Sequence, residues 1–450
     1  RCCYLFSLSI ERKRQTLSRG ASFVADTLFR FDNYTLYKIY PRNEAHIKLL
    51  QDLEYDVSFD FWNDPIPNVA FVDIMANPLN KGVLENVLNT NGVGFEIAIQ
   101  NIQDVIDKET VSSYTRTTRN MNWNTYYTLQ DIEAWMSDMA AAFPEVATQI
   151  IGGHTYEGRT IKGLKLSHGS GRKIIFVEAG IHAREWVPPT TGCFIINELL
   201  TSTHAETMAA ARDFDWYIFP VTNPDGYVWT HESFRMWRKN RRNIDGTNFG
   251  VDLNRNWNSN FMLEGVSLNP AADTYPGLGP FSEPESRTLS TFIRALRHDI
   301  EMYLSFHTFG QLLMVPYGNT TEQLDNYEDS VKIGRRAMGL RGIIVSYIPS
   351  YKPKYQILYI FKFSDHATGT SIDWVKEELR VPLVYCYELR DTGTYGHLLP
   401  TDQILPTNLE AMDSVLELIH QAKRFGYSNG FGVKASITLV LLSLYFKLLV

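Results

Sequence analysis

Four uninterrupted apolar runs constrain this chain more than any other feature: "KIIFVEAG" from Lys173, "FDWYIFPV" from Phe214, "EMYLSFH" from Glu301 and "VPLVYCYEL" from Val381. A strand with one wet face alternates apolar and polar residues. Runs without alternation suit strands covered on both faces, the condition of a mostly parallel sheet between helical layers. Amphipathic segments separate the runs. "TLQDIEAWMSDMAAAFPEV" sets Thr128 and Asp131 at capping-box spacing, repeats Ile132, Trp135, Met136 and Met139, and stops at Pro144. Ser282 with Glu285, and Thr407 with Glu410, are expected to cap two more helices, the second ending at Gly426. The expected class is therefore α/β, a mostly parallel mixed sheet between helical layers.

Charge divides the chain. Residues 34–110 carry five Lys and Arg against twelve Asp and Glu, while the remainder carries 38 of each. The whole acidic excess sits in one N-terminal block, which suggests a separate unit. Inside it "YTLYKIYP", "VAFVDIMANP" and "GFEIAIQN" read as strands. "RNEAHIKLLQDLE" reads as a helix with Ile47, Leu50 and Leu53 on one face, and "KGVLENVLNTNG" as another ended by Gly92. Together they make a small α/β open sandwich. "KETVSSYTRTTRNMNWNTYY" follows, polar and without apolar periodicity; it reads as an exposed linker, with Arg116 and Arg119 as points for a trypsin-like cut. The organisation expected is 1–33 unassigned, 34–110 the small unit, 111–122 the linker, 123–427 the large domain and 428–450 an apolar tail.

Other classes are excluded or weakened. Nothing is basic enough for nucleic acid. The tail "ASITLVLLSLYFKLLV" is short for a membrane span and broken by Lys447; it reads as non-structural. "RCCYLFSLSI" holds a short apolar stretch but no full signal peptide, so the beginning is read as missing or misread. The four cysteines show no CxxC spacing, and Cys193 and Cys386 read as buried thiols.

Polar residues gather where the apolar runs end: His182 and Glu185 in "AGIHAREWVPP", His307 closing the third run, Glu388 near the close of the fourth. In open α/β sheets the ligand crevice lies at the carboxyl ends of the strands. Each residue alone is a weak sign, but four on one rim are a strong one. Two imidazoles and one carboxylate make a three-ligand zinc site with a fourth position for water. Glu388 would then collect the proton as general base, and Asp252 would fix a liganding histidine's tautomer. Arg238 in "RMWRKN" and Arg255 in "VDLNRNW" offer guanidinium groups for an oxyanion or a carboxylate.

"HAREW", "RMWRKN", "DLNRNW", "SFHTFGQ", "SIDW" and "ELRDTGTYG", in this order, resemble the zinc metallocarboxypeptidases of the carboxypeptidase A/B type. The two-histidine, one-glutamate set is characteristic of that family, so the metal assignment rests on the resemblance as well as on ligand chemistry. The likeness covers about residues 123–427, and the acidic block with its linker resembles the activation segment of a procarboxypeptidase. It implies a secreted zymogen, acting on peptide or protein C-termini, opened by a trypsin-like protease and working as a monomer. It also implies one Zn2+ per chain on His182, Glu185 and His307, with Glu388 as base and Arg238 polarising the scissile carbonyl. Asn254 and Arg255 would hold the substrate's terminal carboxylate, and Arg184 would meet the peptide further from the cut. Ile372 would floor the specificity pocket, with Cys386 on its wall. An apolar floor leaves a substrate ammonium unpaired, so aliphatic and aromatic C-terminal residues are expected.

The family pattern is not kept everywhere. Asp365 stands where a tyrosine closes over the bound carboxylate, and the preceding "YKPKYQILYIFKF" is about four residues long for the pattern. Phe309 and His397 replace a tyrosine and a phenylalanine, and Asn248 and Ala271 replace a cysteine pair. These departures suggest an alternative, a catalytically weak binding protein for peptide C-termini; retention of Glu388 and of the three ligand residues favours the enzyme.

Overall fold

The computed structural model describes residues 28–65, 69–109, 111, 121–317, 324–339 and 367–427. Arg116, Arg119, Asp365, the "YKPKYQILYIFKF" segment, Cys2, Cys3 and the C-terminal tail lie outside the described residues.

The acidic block folds into β1 (Thr35–Tyr40), α1 (Glu44–Glu54), β2 (Phe59–Phe61), β3 (Val72–Ala76), α2 (Lys81–Thr90), β4 (Gly94–Ile99) and α3 (Ile102–Ile106). Its sheet is antiparallel, in the order β2-β3-β1-β4. Period two assigns the faces. Tyr37 and Ile39 of β1, with Val72, Ile74 and Ala76 of β3, pack on Leu50 of α1 and on Leu84 and Leu88 of α2. The intervening Leu36 and Met75 join Trp62 against Met236, Phe309 and Leu398 of the large domain. Lys38 and Asp73 point the same way and pair at 3.0 Å.

The large domain runs α4 (Leu129–Ala142), β5 (Ala147–His154), β6 (Thr160–Leu166), β7 (Ile174–Ala179), α5 (Val187–Thr201), α6 (Ala205–Asp213), β8 (Asp215–Phe219) and α7 (Pro224–Glu232). It continues with α8 (Pro284–Leu296), β9 (Ile300–Thr308), β10 (Leu312–Met314), α9 (Tyr327–Ala337), α10 (Ser371–Leu379), β11 (Leu383–Leu389) and α11 (Ile404–Arg424). Among the described residues, seven strands form one sheet, in the order β10-β11-β9-β7-β8-β6-β5. The four apolar runs are its contiguous parallel centre, β11-β9-β7-β8. The antiparallel β10, β6 and β5 lie to either side.

Alternate residues of the central strands enter two separate cores. Ile175, Val177 and Ala179 face α4, α5, α6 and α11, whereas Ile174 and Phe176 face α8 and α10. The sheet is therefore covered on both faces, as the unbroken runs require. Cys193 and Cys386 are free and buried.

The capping box of α4 forms as expected between Thr128 and Asp131. The other two caps do not. Helix α8 starts at Pro284 with Glu283 as its cap residue, while Glu285 instead accepts from the Tyr156 backbone N–H at 3.1 Å. Helix α11 starts at Ile404, so Thr407 lies inside it and donates to the Gln403 carbonyl at 2.7 Å. Pro406 suggests a break but sits in the first turn, where no intrahelical N–H is needed.

Candidate active site

Strand β7 stops at Ala179, and Gly180 turns the chain with φ +64°; a Cβ there would meet the Pro220 carbonyl oxygen at 2.9 Å. This turn delivers His182 and Glu185 to the sheet rim before α5 begins. His307 comes from the penultimate position of β9, and the parallel register sets Glu388 of β11 directly opposite it.

The structure brings His182, Glu185 and His307 together, all buried, with one donor atom of each within 4.8 Å of the others. His182 Nδ1 and His307 Nδ1 approach to 3.1 Å; Glu185 Oε1 is 2.8 Å from the first and Oε2 3.4 Å from the second. Two facing ring nitrogens repel through their lone pairs unless a proton or cation lies between them. Nitrogen, nitrogen and carboxylate oxygen converging on one point is the donor set that catalytic zinc takes, so these residues fit the ion. Outer groups hold them in place. Ser305 Oγ lies 3.0 Å from His307 Nε2, Asp252 Oδ1 lies 3.3 Å from His182 Nε2, and the Thr308 backbone N–H donates to Glu185 Oε2 at 3.2 Å. Burial works against the Glu185 carboxylate, yet the two histidines hold its pKa well below the usual range.

Glu388 is not among the converging donors. Its Oε2 is buried without a hydrogen-bond partner. Burial pushes its pKa up to about 8, with His307 pulling it down and Glu185 pushing it up. Arg238 donates to Asp252 Oδ2 through Nε at 3.1 Å and Nη2 at 2.9 Å, while its Nη1 stands 4.0 Å from Glu185 Oε1. Burial opposes ionisation of Asp252, but Arg238 and His182 keep it well below the usual carboxylate range. Asp252 thus meets both the histidine and the arginine.

Asn254 and Arg255 lie on a short 3-10 turn, and Asn254 Oδ1 accepts from the Ser371 backbone N–H at 3.0 Å. Gly369, with φ +75°, lets the two segments touch, since a Cβ there would sit 2.3 Å from the Arg255 carbonyl oxygen. Ile372, next after Ser371, shares one apolar core with Cys386. Sequence-distant residues thereby form one corner, with Asn254 and Arg255 on one side and the apolar Ile372 and Cys386 on the other.

The small unit lies over this corner. Arg184 donates from Nη1 to Asp60 at 2.9 Å and to Asp273 at 3.0 Å, and from Nη2 to the Phe61 carbonyl at 3.1 Å. Arg255 Nη2 donates to Asp64 at 3.2 Å. Between these contacts, Trp62 packs at 5.3 Å from the ring of His397 and 6.4 Å from that of Phe309, two of the positions that depart from the family pattern. Arg235, Asp273 and Trp62 were not anticipated. Arg235 clamps Glu109 with bonds of 2.6 and 2.7 Å, donates to the carbonyls of Arg184 and His397, and stacks on Trp186. Only its place in "RMWRKN" could have drawn attention to it.

Comparison with known proteins agrees with this geometry. The family model described as zinc carboxypeptidase matches residues 132–414, and the one described as carboxypeptidase activation peptide matches residues 37–109. Zinc carboxypeptidase A 1 of Anopheles gambiae is 35% identical over 91% of this chain and 94% of its own length. Human carboxypeptidase A1 is 32% identical over 88% and 96%. Among solved structures, thrombin activatable fibrinolysis inhibitor has a TM-score of 0.75 and 28% identity over 87% of this chain and 100% of its own. Carboxypeptidase A from Helicoverpa armigera has the same TM-score and 27% identity over 87% and 98%.

Proposed function

The chain belongs to the zinc carboxypeptidase family, and from that premise we propose a specific assignment of its residues, its substrates and its activation. As a member it is a metallocarboxypeptidase that uses one zinc ion and carries an activation peptide. His182 Nδ1, His307 Nδ1 and the Glu185 carboxylate would hold the ion. Zinc, when bound, polarises a carbonyl and acidifies a water molecule.

Glu388 receives the proton released as water attacks and returns it to the departing amine. Its buried, unpartnered oxygen opposite His307 supports the role. Arg238, fixed by Asp252, directs its remaining N–H toward the oxygen that gains charge. Asn254 and Arg255 fix the terminal carboxylate, which restricts cleavage to the last peptide bond. Arg184 meets the peptide upstream. Ile372 and Cys386 line a pocket without charge, which favours aliphatic and aromatic C-terminal side chains.

The observation that carries the activation reading is the pairing of Asp60 with Arg184 and of Asp64 with Arg255. Two carboxylates of the acidic block occupy the guanidinium groups that the substrate needs. Cutting at Arg116 or Arg119 in the 111–122 linker would free residues 34–110 from 123–427 and open the cleft. We assign the active protein as a secreted monomer; among the described residues no helix is long and apolar enough to cross a membrane. The test is release of phenylalanine or leucine from a blocked dipeptide before and after trypsin. Turnover only after treatment is expected; equal turnover in both samples would refute the zymogen, and none with zinc in place would refute the enzyme assignment.

A further inference from the structure

The strand register puts one more carboxyl group beside the specificity corner. Glu178 of β7 stands opposite Ser305 of β9, and Ser305 opposite Cys386 of β11. Residues in one row across adjacent strands share a face, so Glu178 lies on the face whose core includes Ile372 and Cys386. It is completely buried. Its Oε2 accepts from the Tyr303 hydroxyl, but its Oε1 has no partner. The hydroxyl of Ser371, immediately before the pocket residue Ile372, is also buried without a partner. It is near enough to Glu178 to ease the cost that burial imposes on that carboxyl.

An unpaired buried acceptor costs desolvation energy and calls for an explanation. The proposed chemistry does not use Glu178, which lies four residues from His182. Its position suits recognition instead: an apolar wall of Ile372 and Cys386, with a lone acceptor and a hydroxyl beside it.

We propose that Glu178, with Ser371, is a specificity-determining acceptor that makes the pocket prefer a C-terminal tyrosine to phenylalanine. The proposal rests on the reading of Ile372 and Cys386 as the pocket lining. The aromatic ring of either residue meets the apolar wall. The phenol O–H of tyrosine donates to Glu178 Oε1, whereas phenylalanine leaves that buried oxygen with only the Ser371 hydroxyl nearby. A site built to bond a hydroxyl rejects the analogue lacking it more strongly than an apolar pocket rejects an added hydroxyl. A lysine ammonium would need full ionisation of Glu178 within the apolar surround, so tyrosine is the better match.

The experiment compares kcat/KM of the trypsin-activated enzyme on blocked dipeptides ending in leucine, phenylalanine, tyrosine and lysine. Tyrosine should exceed phenylalanine by about tenfold or more. Glu178→Leu should bring that ratio close to one while leucine and phenylalanine change much less. If this variant fails to fold, Ser371→Ala and the wild-type ratio decide; Ser371→Ala should reduce the preference. A wild-type ratio near one, a ratio indifferent to both substitutions, or a preference for lysine over tyrosine overturns the assignment. An activated enzyme that releases neither leucine nor phenylalanine refutes the pocket reading itself, a different result from releasing both without favouring tyrosine.

Discussion

Asp64 Oδ2 stands 3.2 Å from Arg255 Nη2, across the boundary between the acidic unit and the large domain. Four residues earlier, Asp60 makes the matching contact with Arg184 at 2.9 Å. The acid excess counted in the sequence thus has an address. Part of it faces Arg184 and Arg255, the arginines proposed above to meet the substrate, and Glu109 adds a buried clamp on Arg235.

Removing both cleft-facing acids should loosen latency. The uncut Asp60→Asn, Asp64→Asn chain is expected to cleave a blocked C-terminal phenylalanine several-fold faster than the uncut parent. The two should converge after trypsin. Asp64 is partly exposed, so salt screens its pair and the gain should shrink at high salt, whereas the buried Glu109–Arg235 clamp is screened much less. Uncut activity that stays at the parental level would count against this role.

Glu388→Gln keeps the shape of the side chain and removes its basicity. Activity should fall by about 10²–10⁴-fold, with zinc content near one per chain by atomic absorption. A variant that loses zinc and activity together would show that Glu388 acts on the metal centre rather than on the proton.

Ile372→Asp places a carboxylate in the apolar corner shared with Cys386. Release of phenylalanine should fall and release of lysine or arginine should rise, by at least about tenfold in their ratio. Unchanged selectivity in a kinetic comparison would mean that Ile372 does not floor the pocket.

Chelation should abolish activity, and stoichiometric zinc should restore it. Binding to the folded form alone also stabilises it, by about 2.7 kcal/mol at a hundredfold excess over Kd. Thermal unfolding of the chelated chain should therefore move up on zinc addition. His182→Ala should abolish that shift.

Glu285 tests a structural acid away from the metal. Burial pushes its pKa up to about 7. Between about 4.5 and 7 the folded chain keeps a proton that the unfolded chain has lost, so this residue makes stability fall as pH rises through that window. Denaturant titrations of the parent and Glu285→Gln at pH 5 and pH 7.5 should show a smaller fall in the variant; equal falls would exclude this contribution.

Much of this was legible in residue order. Unbroken apolar runs fixed β7, β8, β9 and β11 because strands covered twice have no polar side to display. Two antiparallel members of the large sheet were not legible: β5, "ATQIIGGH", mixes polar and glycine positions, and β10 spans three residues, as does β2 in the small sheet. The false caps at Ser282 and Thr407 show a related limit. Capping spacing records what a side chain can do locally, whereas α8 and α11 start where packing and backbone geometry permit.

By itself the sequence determined the residue types of the His182, Glu185 and His307 cluster, the apolar character of Ile372 and the acidic character of the N-terminal unit, because these follow from side-chain chemistry and periodicity. Only the tertiary structure decided which arginine meets which carboxylate, that Trp62 packs on Phe309 and His397, and that Glu178 reaches the row of Cys386. Those contacts join residues tens to hundreds of positions apart. Strand register and the docking of two folded units fix them, and no local pattern encodes either.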